Sequence, residues 1–194
     1  MTWSEREGRG FYPATVHGTY VNEYLDKYDT YETLEMGKKI TQARVDLVRR
    51  HIGTNPLVDF GCGNGSFIRA RGDMTWGYDV CKRSVKWLVD QDLWWDPWFK
   101  PMPSASFWDS FEHVEDIDKL VSRVLNWAFL SIPIFRSHEH AMKSHHFRPM
   151  EHFHYFTDWG LVLYMKKFGF KVIESNFMET SLGREDIGTF AFRR

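Results

Sequence analysis

Several things are scarce in this chain of 194 residues, and each scarcity excludes something. There are two cysteines, Cys62 and Cys81. A disulfide framework belongs to short, cysteine-dense secreted chains, so reduced thiols and a cytoplasmic setting are expected. No apolar run approaches the roughly 20 residues of a membrane span. The opening MTWSEREGRG lacks the apolar core of a signal peptide. Neither sign of charge dominates: 25 Lys and Arg face 26 Asp and Glu, a net charge of −1. That balance gives no electrostatic case for nucleic acid or an anionic membrane. Internal repeats and low-complexity tracts are also missing, which excludes solenoids and linker-like chains.

What is present describes a globular domain. Hydrophobic residues make up 43% and charged residues 26%, and the length suits a single core. Aromatics reach 17%, with nine Trp. Most should pack the core and the rest should wall a cleft. Residues 1–13 read as a polar, mobile lead-in. Residues 20–52 carry helical spacing, with Tyr20, Tyr24 and Tyr28 on one stripe and Ile40, Ala43, Leu47 and Val48 on a later one. Residues 1–54 are therefore expected to form a helical cap contiguous with a core domain at 55–194.

The core begins with LVDFGCGNGSF at residues 57–67. Leu57 and Val58 fit a buried parallel strand, and Asp59 lies near its end. Gly61, Gly63 and Gly65 alternate with Cys62 and Asn64. Such a turn lets the backbone pass close to a ligand. Ser66 and Phe67 open a helix. Strand, glycine loop and helix begin a nucleotide-binding α/β unit. A dinucleotide fingerprint wants GxGxxG, but here the third glycine comes one residue early. The acid before the loop would repel a pyrophosphate and suit a cationic ligand.

This stretch resembles motif I, D/E-x-G-x-G-x-G, of the class I S-adenosylmethionine-dependent methyltransferases. The resemblance implies that Asp59, Gly61, Cys62, Gly63 and Gly65 face the methionine end of that cofactor. Residues 75–80, TWGYDV, read as the next strand. Asp79 lies twenty residues beyond Asp59, where a carboxylate accepts hydrogen bonds from vicinal ribose hydroxyls. Asp is also favoured as a helix N-cap, and the two roles are compatible at different oxygens. Asp79 matches motif II of the family, with Val80 beside it. The third strand, or its loop, supplies an acid and an apolar residue to the adenine in relatives. Asp92 and Leu93 are the candidates and Asp90 the alternative, with Trp94 and Trp95 placed to stack on or shield the purine.

Residues 104–108 fit the fourth strand, and Val114, Ile117, Leu120, Val121 and Val124 follow at helical spacing. Trp108 and Asp109 are expected to border the sulfonium. Asp109, Glu112 and His113 crowd the strand end, where open α/β sheets bind ligands. The segment resembles the E-x-L-E-H stretch of small-molecule methyltransferases, including the ubiquinone-biosynthesis O-methyltransferase group. Three readings stay open. His113 is a general base for a hydroxyl acceptor. Asp109, Glu112 and His113 bind a divalent cation, which is not asserted as a cofactor. Or Glu112 braces the glycine loop and His113 is pocket wall.

Residues 128–135, AFLSIPIF, read as a central buried strand. Residues 136–154 hold six of the nine histidines. His138, His140, His145 and His146 are expected as polar surface of a lid, the first two spaced as on an extended strand. His152 and His154 are expected in an acceptor pocket, as catalytic candidates beside Glu112 and His113. The run HFHYFT resembles the H-x-x-x-F-T segment that walls the acceptor site in small-molecule methyltransferases, with Thr157 as helix N-cap. A helix at residues 158–168 and strands at 170–176 and 187–192 complete the pattern. The resemblance implies a Rossmann-like α/β fold with a mostly parallel seven-stranded sheet, order 3-2-1-4-5-7-6, and helices on both faces. The Pro-Pro and Pro-Cys motifs of DNA base methyltransferases have no counterpart. The expected function is methyl transfer from S-adenosyl-L-methionine to an O, N or C acceptor, with a small molecule preferred. The rivals are a non-catalytic S-adenosylmethionine-binding or assembly module, a protein or RNA methyltransferase, and an NAD-dependent oxidoreductase. The oligomeric state is not legible.

Overall fold

The computed structural model describes residues 1–13, 26, 29, 30, 32–72 and 74–194. Its strands are β1 (Thr2–Ser4), β2 (Arg9–Phe11), β3 (Leu57–Phe60), β4 (Thr75–Tyr78), β5 (Met102–Trp108), β6 (Val124–Pro133), β7 (His154–Phe156), β8 (Lys171–Asn176) and β9 (Ile187–Arg193). Its helices are α1 (Glu35–Ile52), α2 (Ser66–Arg71), α3 (Lys82–Asp90), α4 (Ile117–Ser122), α5 (His138–Lys143), α6 (Asp158–Lys166) and α7 (Met178–Ser181), with a 3-10 turn at Phe111–His113. Tyr20, Tyr24 and Tyr28 lie outside the described residues.

The main sheet runs β4-β3-β5-β6-β9-β8. The pairs β3/β4, β3/β5 and β5/β6 are parallel, and β9 is antiparallel to both β6 and β8. This is the expected order from its second position onward, ending in the antiparallel pair. The expected seventh strand, at position 3, shrinks to one parallel bridge between Gly77 and Trp94. Gly77 donates to the Leu93 carbonyl and Trp95 donates to the Gly77 carbonyl, and pairing stops there. The cause is the Asp96-Pro97 turn that follows. Pro97 has no N–H to continue a ladder, and the Asp96 carboxylate accepts from the amides of Trp98 (2.8 Å) and Phe99 (3.3 Å).

The strands alternate between two cores, as the two-residue period of a pleated strand requires. On one face Leu57, Phe129 and Ala191 meet Val45, Leu47, Val48 and Ile52 of α1. On the other, Val58, Leu130 and Phe192 meet Ile117, Leu120 and Val121 of α4 and Leu161, Tyr164 and Met165 of α6. Full burial of such a side chain is worth about 1.5–3 kcal/mol, so each strand fixes its register by both neighbours. Basic residues Arg49 and Arg50 close α1, and Gly53 ends it with φ of 54°.

The N-terminus departs from expectation. Residues 1–13 are not a free lead-in: β1 and β2 form a hairpin, and β2 pairs antiparallel with β7, Gly10 opposite Tyr155. Met1 and Trp3 pack on Phe135, Ala141 and Tyr155. The chain start thereby fastens the segment that carries His152 and His154. A second departure lies in α5, which takes in His138 and His140 as helix rather than extended chain. The Thr157 cap holds as expected, its hydroxyl oxygen accepting from the Gly160 amide at 2.9 Å.

Candidate active site

The glycine loop turns at the carboxyl end of β3, beside the crossing from β3 to β5. A cavity of about 300 Å³ opens there. Gly61 and Cys62 donate their amides to the Tyr78 carbonyl, at 2.8 and 3.1 Å, which folds the loop back over β4. Gly61, Gly63 and Gly65 all have positive φ, at 76°, 56° and 79°. Their surroundings differ. A Cβ on Gly61 would strike the Ser110 side chain, and one on Gly65 would strike the Trp87 ring. Around Gly63 there is open space, because this glycine faces the cavity. Gly63 leaves room for a ligand, whereas Gly65 leaves room for α3.

Asp59 and Asp79 both line the cavity. Asp59 accepts a hydrogen bond from Ser106 Oγ at 2.7 Å, and burial pushes its carboxyl up to about 7. Asp79 accepts from the Gly63 amide at one oxygen and from the Cys81 amide at the other, both at 2.8 Å. Asp79 is not the helix N-cap, a place that Cys81 takes without a side-chain cap, but it braces the turn into α3, and each oxygen keeps acceptor capacity toward the cavity. Burial also raises the Asp79 carboxyl above the usual range. Val80 forms an exposed rim.

Asp92 and Leu93, expected at the adenine, do not line this cavity. Asp92 is exposed with φ of 56°, and Leu93 packs against Cys62, Ile68 and Leu88 behind the loop. Gly65 stands outside the lining as well. Trp94 and Trp95 turn into the cores, while Tyr78 and Trp98 reach the cavity. Trp98 Nε1 donates to Tyr78 Oη at 3.0 Å, which fixes both rings. The sequence held one clue to this exchange: Pro97 forbids a longer third strand and so swings the next Trp toward the sheet end.

At the end of β5 the chain leaves through Trp108, Asp109 and Ser110, all on the cavity. Ser110 Oγ donates to the Phe60 carbonyl at 2.6 Å and ties β5 to the loop. Asp109 has φ of 56° and is gripped by two guanidiniums, Arg44 at 2.9 Å and Arg184 at 2.8 Å. Burial works to raise its pKa, but Arg184 and Arg44 outweigh it and hold the carboxyl below the ordinary range. The same two arginines bind Glu179, which is fully buried and also accepts from Ser131 Oγ. Neither Arg44 nor Arg184 carries a sequence signal, since each lies in an otherwise ordinary helix or loop. Asn64 adds another link, donating to Asp29 and Glu32 at 3.1 and 2.8 Å, so the segment before α1 clasps the loop.

Beyond Ser110 the structure brings together Glu112, His113 and His152, with one ligand-type atom of each within 4.8 Å of the others. The imidazoles of His113 and His152 meet edge to face, centroids 4.5 Å apart. His113 lines the cavity, while Glu112 and His152 lie behind it, 1% and 4% exposed. Two contacts hold the segments together: Phe153 donates its amide to the Glu112 carbonyl at 2.9 Å, and His113 Nδ1 lies 3.1 Å from the Glu151 carbonyl. Burial pushes the Glu112 carboxyl up to about 8 and both histidines below their usual value.

His154 is not part of this cluster. Its Nδ1 accepts from Arg9 at 3.0 Å and its Nε2 donates to the Glu115 carbonyl at 3.0 Å, a structural hydrogen-bond bridge. Asp109, one of the three ligands considered for a cation, is committed to its arginines, and His152 takes its place beside Glu112 and His113. The outer histidines fasten the insert instead: His140 lies 3.1 Å from Asp186, and His146 Nε2 donates to the Glu185 carbonyl at 2.8 Å.

Residues 30–175 match a protein family described as a methyltransferase domain. The chain belongs to this methyltransferase family. No curated protein matches the sequence. Solved structures that resemble it share the class I methyltransferase fold. One is a magnesium protoporphyrin IX methyltransferase from Synechocystis with bound S-adenosylhomocysteine, at 12% identity and TM-score 0.63, covering 89% of this chain and 95% of that one. Another is a methyltransferase from Thermotoga maritima described as a possible histamine N-methyltransferase, at 13% identity and TM-score 0.62, covering 88% and 96%. A third is the 1,6-didemethyltoxoflavin-N1-methyltransferase of Burkholderia thailandensis, solved with its substrate and S-adenosylhomocysteine, at 13% identity and TM-score 0.60, covering 89% and 84%. The methyltransferase described here is an enzyme by family, and its cavity occupies the carboxyl end of the sheet, where α/β sheets bind ligands. Among the described residues no helix is long and apolar enough to cross a membrane.

Proposed function

We propose that the cavity binds S-adenosyl-L-methionine and that the protein transfers its methyl group to a small molecule. The observation that carries this reading is the joint opening of Asp59, Gly63 and Asp79 onto one cavity. Asp79 would accept the ribose hydroxyls, Gly63 would admit the backbone-hugging part of the cofactor, and Asp59 would attract the ammonium. Tyr78, Val80 and Trp98 offer the adenine an aromatic and apolar wall in place of Asp92 and Leu93. Trp108 and Asp109 border the methyl-bearing sulfur. The acceptor would approach past His113 and Val114. Its nucleophile attacks the methyl carbon in line, the carbon–sulfur bond breaks, and the electron pair returns to sulfur as S-adenosylhomocysteine. The methyl is already activated, so positioning supplies most of the catalysis. The magnesium protoporphyrin and toxoflavin enzymes act on small molecules, which supports the same class of acceptor here. A cytoplasmic setting fits two free, buried cysteines in the cavity wall.

Calorimetric titration with S-adenosylmethionine and S-adenosylhomocysteine tests the reading. Micromolar binding that Asp79→Ala weakens about a hundredfold is the expected result. No binding by the wild type would overturn it. Binding without turnover across a panel of small acceptors bearing hydroxyl, amine and carbon nucleophiles would favour a non-catalytic module.

A further inference from the structure

We propose that Glu112, His113 and His152 form a binding site for one divalent transition ion of the zinc type, set in the cavity wall. The argument begins with an atom left without a partner. Glu112 Oε2 is buried and accepts no hydrogen bond among the described residues. Leaving a buried carboxylate oxygen unpaired costs roughly 1–3 kcal/mol or more. Two imidazoles converge on the same point, and the three ligand atoms lie within 4.8 Å of one another. Ligands on a tetrahedral zinc stand about 3.4 Å apart, given metal bonds of about 2.0–2.1 Å, so modest closure of the side chains suffices.

The ligand chemistry is specific. Two imidazole nitrogens and one carboxylate suit zinc, cobalt or iron(II) and do not suit magnesium, which prefers an all-oxygen shell. Neutral imidazole is the form that binds metal, and two imidazoles share this site. His113 is also oriented as metal-binding histidines usually are. Its Nδ1 faces the Glu151 carbonyl at 3.1 Å, the outer contact that such histidines make. The backbone bond from Phe153 to Glu112 holds the two contributing segments in register. The charges that act on Glu112 are of both signs, Asp109 against Arg184 and Arg148, so a divalent charge meets a mixed field.

Three protein ligands leave coordination positions for an outside oxygen. The role of the ion in catalysis rests on the methyltransferase reading; its binding does not. A hydroxyl acceptor bound there would release its proton to solvent more easily, and the resulting oxygen would attack the cofactor methyl. The oxygen–carbon bond forms, the carbon–sulfur bond breaks, and the products are a methyl ether, S-adenosylhomocysteine and one proton.

The test uses the full chain after chelator treatment and buffer exchange. Zinc chloride is titrated calorimetrically, bound metal is counted by elemental analysis, and cobalt(II) is followed by its ligand-field absorption. One ion per chain is expected. Glu112→Gln, which keeps shape and volume, and His152→Ala should each weaken binding at least tenfold and remove the cobalt bands. The double variant His145→Ala/His146→Ala should leave both intact. Magnesium should not compete. S-adenosylhomocysteine affinity, measured on the same samples, reports folding and the cofactor site separately. Loss of zinc uptake in the His145/His146 double variant, or unchanged uptake in Glu112→Gln, would overturn the proposal, as would a wild type that binds S-adenosylhomocysteine and takes up no zinc. Zinc binding without S-adenosylhomocysteine binding would instead sink the cofactor reading and leave the metal site standing.

Discussion

The two halves of the cavity are built by different means. The half proposed for the cofactor is made mostly of backbone, three positive-φ glycines and two folded-back amides, with two carboxylates twenty residues apart. The half proposed for the acceptor is made of side chains from distant places, with His113 and His152 meeting across 39 residues of sequence. Backbone geometry forces residue types at fixed spacing, so the first half can be read along the chain. Side-chain convergence forces no spacing, so the second half becomes visible only after folding.

That contrast can be broken at several points. The largest effect should come from the ion group beneath both halves. Glu179→Ala leaves Arg44 and Arg184 partly uncompensated in the interior, and about 3–5 kcal/mol of stability should disappear in chemical denaturation. Asp79→Ala should act on binding more than folding. Losing two charge-assisted ribose hydrogen bonds at about 1.5 kcal/mol or more each predicts a hundredfold weaker S-adenosylhomocysteine complex by calorimetry.

A pH series on Asp59→Asn sharpens the cofactor half further. In the folded wild type the Asp59 carboxyl is raised from 3.8 to about 7 by burial. Between those values the folded state holds a proton that the unfolded chain has released. The Asp59 contribution to stability should therefore fall as pH rises through that window, by up to about 1.4 kcal/mol per pH unit, and level off above 7, while the raised Glu112 carboxyl acts with the same sign in both proteins. The lowered values of His152 and His154 act with the opposite sign below 6.5 and are common to both proteins. The difference between wild type and Asp59→Asn melts isolates the carboxyl, and a flat difference would refute its raised pKa.

Smaller effects separate the glycines. Gly63→Ala should cost about 1 kcal/mol in backbone strain and weaken the cofactor further, because its Cβ enters the cavity. Gly65→Ala should lower the melting temperature more and affinity less, because its Cβ meets Trp87. Asp92→Ala should change neither affinity nor stability beyond about 0.5 kcal/mol. A large loss of affinity there would restore Asp92 to the adenine.

These cases show how much was legible in the sequence. The glycine loop, the place of Asp79 at the end of β4, the buried strands β3 and β6, and the Thr157 cap follow from local rules of spacing and capping. The β1–β2 hairpin does not, because strands of three residues carry almost no period and their pairing partner, His154–Phe156, is remote. The third strand is poorly marked along the chain and is expected only from the resemblance, and the Asp96-Pro97 turn cuts it to one bridge. Asp92 leaves the cavity wall with it, since its expected place beside the adenine depends on that strand. Arg44 and Arg184 leave no mark in the sequence, because nothing in a helix or a loop shows which guanidinium will find a carboxylate across the sheet.

The group formed by Arg44, Asp109, Glu179 and Arg184 has one more consequence. Two guanidiniums and two carboxylates sum to no net charge, and water reaches little of any of them. Dissolved ions screen charges that solvent touches and leave buried ones nearly alone. At the mouth of the loop the situation is reversed. Arg83 with Asp26 and Arg69 with Glu32 are exposed pairs that tie the segment before α1 to α3 and α2. Raising ionic strength should loosen that clasp while the floor keeps its shape, so this enzyme has a salt-sensitive entrance above a salt-indifferent base.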